Sequence, residues 1–329
     1  IVYGRITDKA GNVSTVVSTY DFTTDDDAPE ITNNAAETWY SNNSDKVTVT
    51  VTDNLAGLYE VKYKINNGTE QTVTLTNDKF EILVSALAEG TNTITVTAED
   101  NSTNVNGTTE KPYTITVKKD TTAPTVKDER TDPTAWITTQ DVVVSVVDNE
   151  NGSGIDTKTV TYKVGNGEEI PATVAKDGTI TIPADKIPNG TTTVTVVAKD
   201  NCGNTTKQDL TVKKDTIAPT VEDKDNVSGT WINDPKQDVV VSVADNEGGS
   251  GIKEVTYTVD GGTPVTVPVA DDGTITIPTS DFEDGKYDVV VTATDSNSGA
   301  TKDATMTIVI NKIACTVTAP TIHLTCFLK

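Results

Sequence analysis

The sequence repeats itself every 95 residues. Pro29, Pro124 and Pro219 keep that step, in TTDDDAPEI, KKDTTAPTV and KKDTIAPTV, and so do Asp25, Asp120 and Asp215. Other markers follow in register. Trp39, Trp136 and Trp231 precede a Val-rich run, and Asp53-Asn54, Asp148-Asn149 and Asp245-Asn246 close it. Tyr63, Tyr162 and Tyr257 lie in the next apolar stretch, and Asp100, Asp200 and Asp295 end runs reading VTVTAED, VTVVAKD and VVVTATD. A fixed period with this many ordered markers means one structural unit per repeat. Units of this size can bury a sufficient core by themselves.

The chain is expected to divide into an incomplete unit at 1–24, three full units at 25–119, 120–214 and 215–312, and an atypical tail at 313–329. Residues 1–24 belong to the scheme because ITDKAGNVS (Ile6 to Ser14) resembles VAKDNCGNTT (Val197 to Thr206). Two strands cannot bury a core alone, so this piece is expected to be either frayed or held by a neighbour. In the tail, Ile313 stands where earlier linkers carry Asp, and scar, artefact and divergent unit all stay open as its origin.

Within each unit the apolar period is 2. Val47, Val49 and Val51 alternate with Thr48, Thr50 and Thr52, and Ile94, Val96 and Ala98 with Thr95 and Thr97. Such alternation puts one face of a strand on a core and the other in water. β-Branched residues suit that pleated, half-buried surface. In the middle unit strands are expected near 125–129, 141–147, 157–165, 168–175, 178–182, 191–198 and 205–213. The turns between them, including DNENGSG, KDG, PNG and DNCGN, carry the Gly and Asn that tight turns need. About seven short strands per unit indicate an all-β fold of tandem immunoglobulin-like β-sandwiches arranged end to end. The Trp residues stand before the second strand and are read as edge or pole packing residues.

Composition narrows the function. Twenty-six Lys and Arg face 49 Asp and Glu, a net charge of −23, which leaves no basic surface for nucleic acid. No run of 18 apolar residues exists, so no segment is expected to insert into a membrane. The three cysteines, Cys202, Cys315 and Cys326, cannot supply one bridge per repeat, and a pairing of the last two is open. His323 is the single histidine and sits in the tail, far from any positioned nucleophile. KDGTI and DDGTI precede strands rather than helices, so they are hairpin turns and not phosphate loops. No catalytic constellation is expected, and the chain is read as not an enzyme.

Three features together, the D-T-x-A-P-T linker (Asp120 to Thr125, Asp215 to Thr220), the D-N-x-x-G-S-G-I loop (Asp148 to Ile155) and the terminal A-x-D-N/S run, resemble the bacterial immunoglobulin-like repeats of large surface adhesins and cell-wall proteins. The resemblance covers residues 1–312. It implies a secreted or cell-surface location, and a stalk or spacer built of neighbouring repeats. The first full unit departs from the pattern, since Asn54-Leu55-Ala56-Gly57-Leu58 lacks the Ser-Gly-Ile ending. A host-protein- or glycan-binding module carried by one repeat is the alternative. The segments that differ between units, 87–92, 101–107 and the tail, are where to look for it.

The candidate site is acidic. In a sandwich of this topology the N-terminal linker, the loop after the second strand and the loop after the sixth lie at one pole. That predicts three clusters: Asp25, Asp27, Asp53 and Asp100; Asp120, Asp148 and Asp200; Asp215, Asp245 and Asp295. Carboxylates brought together repel unless a cation joins them, and Ca²⁺ takes six to eight oxygens in loose geometry. Some adhesins of the resembled kind stiffen their linkers with Ca²⁺. Turn chemistry is the competing reading, because Asp and Asn also hydrogen-bond local backbone in ordinary turns. Both stay open from the residues alone. No other cofactor is expected.

Overall fold

The structure, a computed structural model, describes residues 2–3, 6–13, 19–20, 24–108, 110–234 and 236–313. Residues 314–329, with Cys315, His323 and Cys326, lie outside the described residues.

All the regular structure described is β, apart from three single 3₁₀ turns at Val84–Ala86, Ala184–Lys186 and Thr279–Asp281. The same pair of sheets recurs three times. A three-stranded sheet has the order Glu30–Asn33, Lys46–Thr52, Lys79–Leu83 in the first repeat. Its counterparts are Thr125–Asp128, Val142–Val147, Thr179–Ile182 and then Thr220–Asp223, Val239–Ala244, Thr274–Ile277. The larger sheet of the last repeat runs Trp231–Ile232, Thr301–Ile310, Gly285–Asp295, Ile252–Val259, Val265–Val267. The first and middle repeats repeat that order, the first with one extra short strand, Val105–Asn106, on Gly90–Asp100. These are tandem immunoglobulin-like β-sandwiches.

The alternation explains the packing. Val47, Val49 and Val51 are fully buried, and so are Ile94, Val96 and Ala98 from the facing sheet. They close one core with Ile31, Val61, Phe80, Ile82, Ile115 and Val117. Burying each such side chain contributes about 1.5–3 kcal/mol. In the last repeat Val239, Val241, Ile275, Ile277, Val289, Val291 and Ile308 do the same, with Met306 among them.

The chain forms two compact units. One comprises Ile1–Thr125, Val146–Thr159 and Ala198–Thr206, and the other Val126–Ser145, Val160–Val197 and Lys207–Lys329. Each inter-repeat linker, 119–121 and 214–216, falls inside a single unit.

The strands of the middle repeat differ in places from the alternation. The third is Thr161–Val164 rather than 157–165, because Asp156 starts a turn whose carbonyl accepts from Thr159 N. The fourth is only Ile170–Pro171, rather than 168–175. Pro171 has no N–H to donate. Ala175 then leaves the edge to close a hairpin with Thr179. Each Trp begins a two-residue strand parallel to the last strand of its repeat, with Trp39 opposite Lys118, Trp136 opposite Lys213 and Trp231 opposite Val309. One reading of the tail is corrected. Asp120 N and Asp215 N donate to Tyr40 O and Ile137 O, and Asn311 N donates to Ile232 O in the same way. Asn311, not Ile313, therefore stands where the other linkers carry Asp.

Candidate metal centre

Each acidic pole is assembled from three short backbone segments. The linker arrives extended, fixed by Pro29, Pro124 or Pro219, all buried. The second segment is the loop after the second strand. In D-N-x-x-G-S-G the final glycine has positive φ, 84° at Gly154 and 92° at Gly251, which lets the chain turn back under the linker. The earlier glycine answers to space. A Cβ on Gly152 would stand 2.6 Å from an Asp148 carboxylate oxygen, and one on Gly249 would stand 2.5 Å from that of Asp245. The third segment is the turn after the sixth strand, held by its own aspartate.

The hydrogen bonds recur from pole to pole. The linker carboxylate accepts from the loop backbone: Asp25 from Ala56 N at 2.8 Å, Asp120 from Ser153 N at 2.7 Å and Asp215 from Ser250 N at 2.6 Å. The loop aspartate accepts at 2.6 Å from the N–H of its closing glycine: Asp53 from Gly57, Asp148 from Gly154 and Asp245 from Gly251. The turn aspartate accepts from residues two and four ahead: Asp100 from Ser102 N and Asn104 N, Asp200 from Cys202 N and Asn204 N. In the last repeat Asp295 takes Asn297 N and Ser298 instead. The turn at Asp8, with Ala10 N, Asn12 N and the Asn12 side chain, is built like those at Asp100 and Asp200.

The structure brings most of the predicted acids together. Oxygens of Asp25, Asp53 and Asp100 lie within 4.8 Å of one another, and so do those of Asp215, Asp245 and Asp295. Asp27 lies apart and exposed, since only its backbone N–H takes part, donating to Asp25. In the middle pole Asp120 and Asp200 share that proximity with the sulfur of Cys202, and Asp148 is their neighbour. Asp100, Asp120, Asp200, Asp215 and Asp295 are all buried.

The charges respond to this crowding. Burial raises the Asp148 carboxyl above the ordinary carboxylate range. The Gly154 N–H works against that shift, while Asp120 and Asp200 add to it by repulsion. Burial also opposes ionisation at Asp100 and Asp295, but there the hydrogen bonds win, from Asn104 and Ser102 in one case and from Ser298, Ser250 and Asn297 in the other. Both lie below the ordinary range. The Cys202 thiol is pushed up, first by burial and then by the charges of Asp120, Asp200 and Asp148, against a hydrogen bond with Ser153.

The donor set suits a hard cation. Ligands on opposite sides of a Ca²⁺ with bonds of about 2.3–2.6 Å stand about 5 Å apart or less, so three oxygens at the observed spacing can share one ion. In the middle pole Asp148 would be the third oxygen donor, because a thiol is a poor Ca²⁺ ligand. Asn104 and Asn204 were not foreseen from the sequence. Their side-chain amides donate to the linker carbonyls of Asp25 and Asp120, and Asn297 donates to that of Asp215. The signal was present in D-x-x-x-N at 100–104 and 200–204.

Comparison with known families decides the lineage. Residues 76–167 and 176–276 match the family described as bacterial Ig-like domain (group 3). The chain belongs to that family. Curated proteins give no match. Among solved structures, this Ig-like chain is similar to a tetra-tandem repeat from the extending region of a large adhesion protein. The identity is 19%, over 94% of this chain and 80% of that one, with a TM-score of 0.38. It is also similar to fibronectin(III)-like modules of Clostridium thermocellum CbhA (16% identity, 56% and 94% covered, TM-score 0.26). A third similarity is to extracellular cadherin domains 1–5 of protocadherin gamma B2 (13% identity, 89% and 73% covered, TM-score 0.33). No helix among the described residues is long and apolar enough to cross a membrane.

Proposed function

We propose that this bacterial Ig-like chain is a section of an extracellular spacer on the cell surface, with Ca²⁺ bound at its acidic poles. The observation that carries the reading is the recurrence of a three-aspartate pole at the start of each of the three repeats. Asp25, Asp120 and Asp215 each join the linker to a loop aspartate and a turn aspartate. A recognition site would need one repeat to differ from the others. A spacer needs each repeat to meet the next in the same way. The ligands would be Asp25, Asp53 and Asp100; Asp120, Asp148 and Asp200; and Asp215, Asp245 and Asp295. Ca²⁺ would there neutralise carboxylates that otherwise repel.

The test is a thermal melt of the whole chain in EDTA and in millimolar Ca²⁺, with solution scattering on the same samples. A ligand that binds only the folded state raises the melting temperature. The expected rise is specific to Ca²⁺ over Mg²⁺ and is reduced in Asp120→Ala/Asp148→Ala, which leaves the other two poles intact. No shift removes the metal from this account. A compact scattering profile removes the spacer.

A binding role has one observation in its favour. In the first repeat Tyr59 is 69% exposed and Leu55 61%, beside an open groove of about 650 Å³ lined by Tyr59, Glu60, Thr72, Val73 and Leu75. The last repeat carries Lys253 where the first carries Tyr59. A host protein or glycan taken up there would bind the whole chain but not a Tyr59→Ala variant.

A further inference from the structure

The linker residues engage both sides of each junction, and only one side involves the acidic pole. At 119–121 the sequence is Lys-Asp-Thr, and at 214–216 it is the same. An extended chain sends successive side chains in opposite directions. Asp120 and Asp215 reach forward, to Ser153 N and Ser250 N of the following repeat. The residues on either side reach back. The buried Lys119 ammonium donates to Leu87 O at 3.0 Å and pairs with Glu89 at 3.5 Å. Lys214 donates to Ala184 O at 2.7 Å and Ile187 O at 2.9 Å. Thr121 donates its N–H and its hydroxyl to Glu89, and Thr216 donates both to Asn189.

The backward grip is built around carbonyls. Leu87 and Ile187 each follow a 3₁₀ turn, Val84–Ala86 or Ala184–Lys186, and the ammonium is held by carbonyls in or just after it. The last repeat fills the same cradle from a different position. Lys312 is the counterpart of Thr216, since its N–H donates to Asp284 as that of Thr216 donates to Asn189. Its ammonium nevertheless reaches Thr279 O at 2.7 Å and Phe282 O at 2.8 Å, beside the turn Thr279–Asp281. The cradle thus receives an ammonium from two different sequence positions.

We propose that Lys-Asp-Thr is a two-way clamp that fixes each junction without metal. The lysine ammonium is the resident cation of the preceding pole, and a metal could brace only the following one. The clamp deepens the spacer reading, because it sets which junctions hold their angle. It is complete at 119–121 and 214–216. At 24–26 Thr24 and Asp26 flank Asp25, so only the forward half is present.

The test is a distance distribution between two spin labels on the full chain in EDTA. Cysteines are placed at Glu81 and at the exposed Lys158, one on each side of the 119–121 linker within one compact unit, after Cys202, Cys315 and Cys326 are changed to Ser. The expected result is one narrow distribution, unchanged by Ca²⁺, and its loss in Glu89→Gln/Thr121→Val, which leaves the buried lysine in place and the far-ultraviolet spectrum unaltered. Lys119→Met should lose it too. A broad distribution in the unmodified clamp that narrows only with Ca²⁺ overturns the proposal, and so does a narrow one that survives both variants. Compact scattering with a narrow distribution would remove the spacer reading and leave the clamp standing.

Discussion

Asp148→Asn should change stability in opposite directions with and without Ca²⁺. The substitution keeps an oxygen that can accept from Gly154 N, now at 2.6 Å, and removes one negative charge beside Asp120 and Asp200. Two unit charges about 5 Å apart cost ~3 kcal/mol at an effective dielectric near 20. Asp148 is half-buried, so solvent screening reduces this to about 1 kcal/mol. For a cooperative unit of about 100 residues, that raises the melting temperature by roughly 4–8 °C in EDTA. With Ca²⁺ at about a hundred times its Kd, the unmodified chain gains ~2.7 kcal/mol. The variant has lost a ligand and gains less, so the order of the two melting curves reverses. The pH dependence has a defined sign. Because the Asp148 pKa is raised in the folded state, its penalty is fully present above that raised value and disappears as pH falls through it towards the ordinary 3.8. The EDTA difference between the two proteins should therefore shrink on acidification. Differential scanning calorimetry in EDTA and in Ca²⁺, at pH 7 and below 5, reads all of this. A variant that melts lower than the unmodified chain in EDTA would refute the repulsion argument and leave Asp148 as a turn former only.

Gly249→Ala would push a methyl group to 2.5 Å from the Asp245 carboxylate, and overpacking of this kind should cost about 1–3 kcal/mol in the melt of the last repeat. Asp100 and Asp295 have lowered folded pKa values, so the stability they contribute is present above 3.8 and is lost as pH falls through their folded values; Asp295→Asn should flatten the acid limb of a pH–stability curve. Cys202 should react slowly with a disulfide reagent at pH 8, because its raised pKa starves it of thiolate; a Cys315→Ser/Cys326→Ser chain followed by absorbance isolates that thiol, and a rate equal to that of a free cysteine would contradict the placement of three carboxylates around it.

The sandwich was legible because alternation is a direct consequence of burial. Val47, Val49 and Val51 could not all be buried on one face unless Thr48 and Thr50 were on the other. The poles were legible for a related reason: strand ends are fixed once strands are fixed, and an Asp at every such end must meet the others. Asp27 stays exposed because the loop N–H of Ala56 is taken by Asp25, and Asp27 contributes only its own backbone N–H to that carboxylate. The short Trp strands were harder. Trp136-Ile137 carries no alternation, and its partner is a parallel strand distant in sequence. Its neighbour Lys213 lies 6.0 Å from the ring, as Lys118 does from Trp39, while Trp231 faces Val309 and stays 64% exposed.

The lysines were invisible for a deeper reason. A Lys beside an Asp reads as a solvated pair, and nothing in its spacing tells which of the two goes inside. The structure sends Lys119 and Asp120 to opposite sides of one extended segment, so that neighbours in sequence become partners of different repeats. A carbonyl cradle left without its ammonium would hold buried oxygens unsatisfied, and so would a loop N–H without its aspartate. Each repeat is thus completed by residues of the linker that leaves or enters it. This gives a physical reason why both linkers lie inside compact units. It also implies that Lys-Asp-Thr cannot be exchanged for a flexible linker of equal length without loss of stability on both sides.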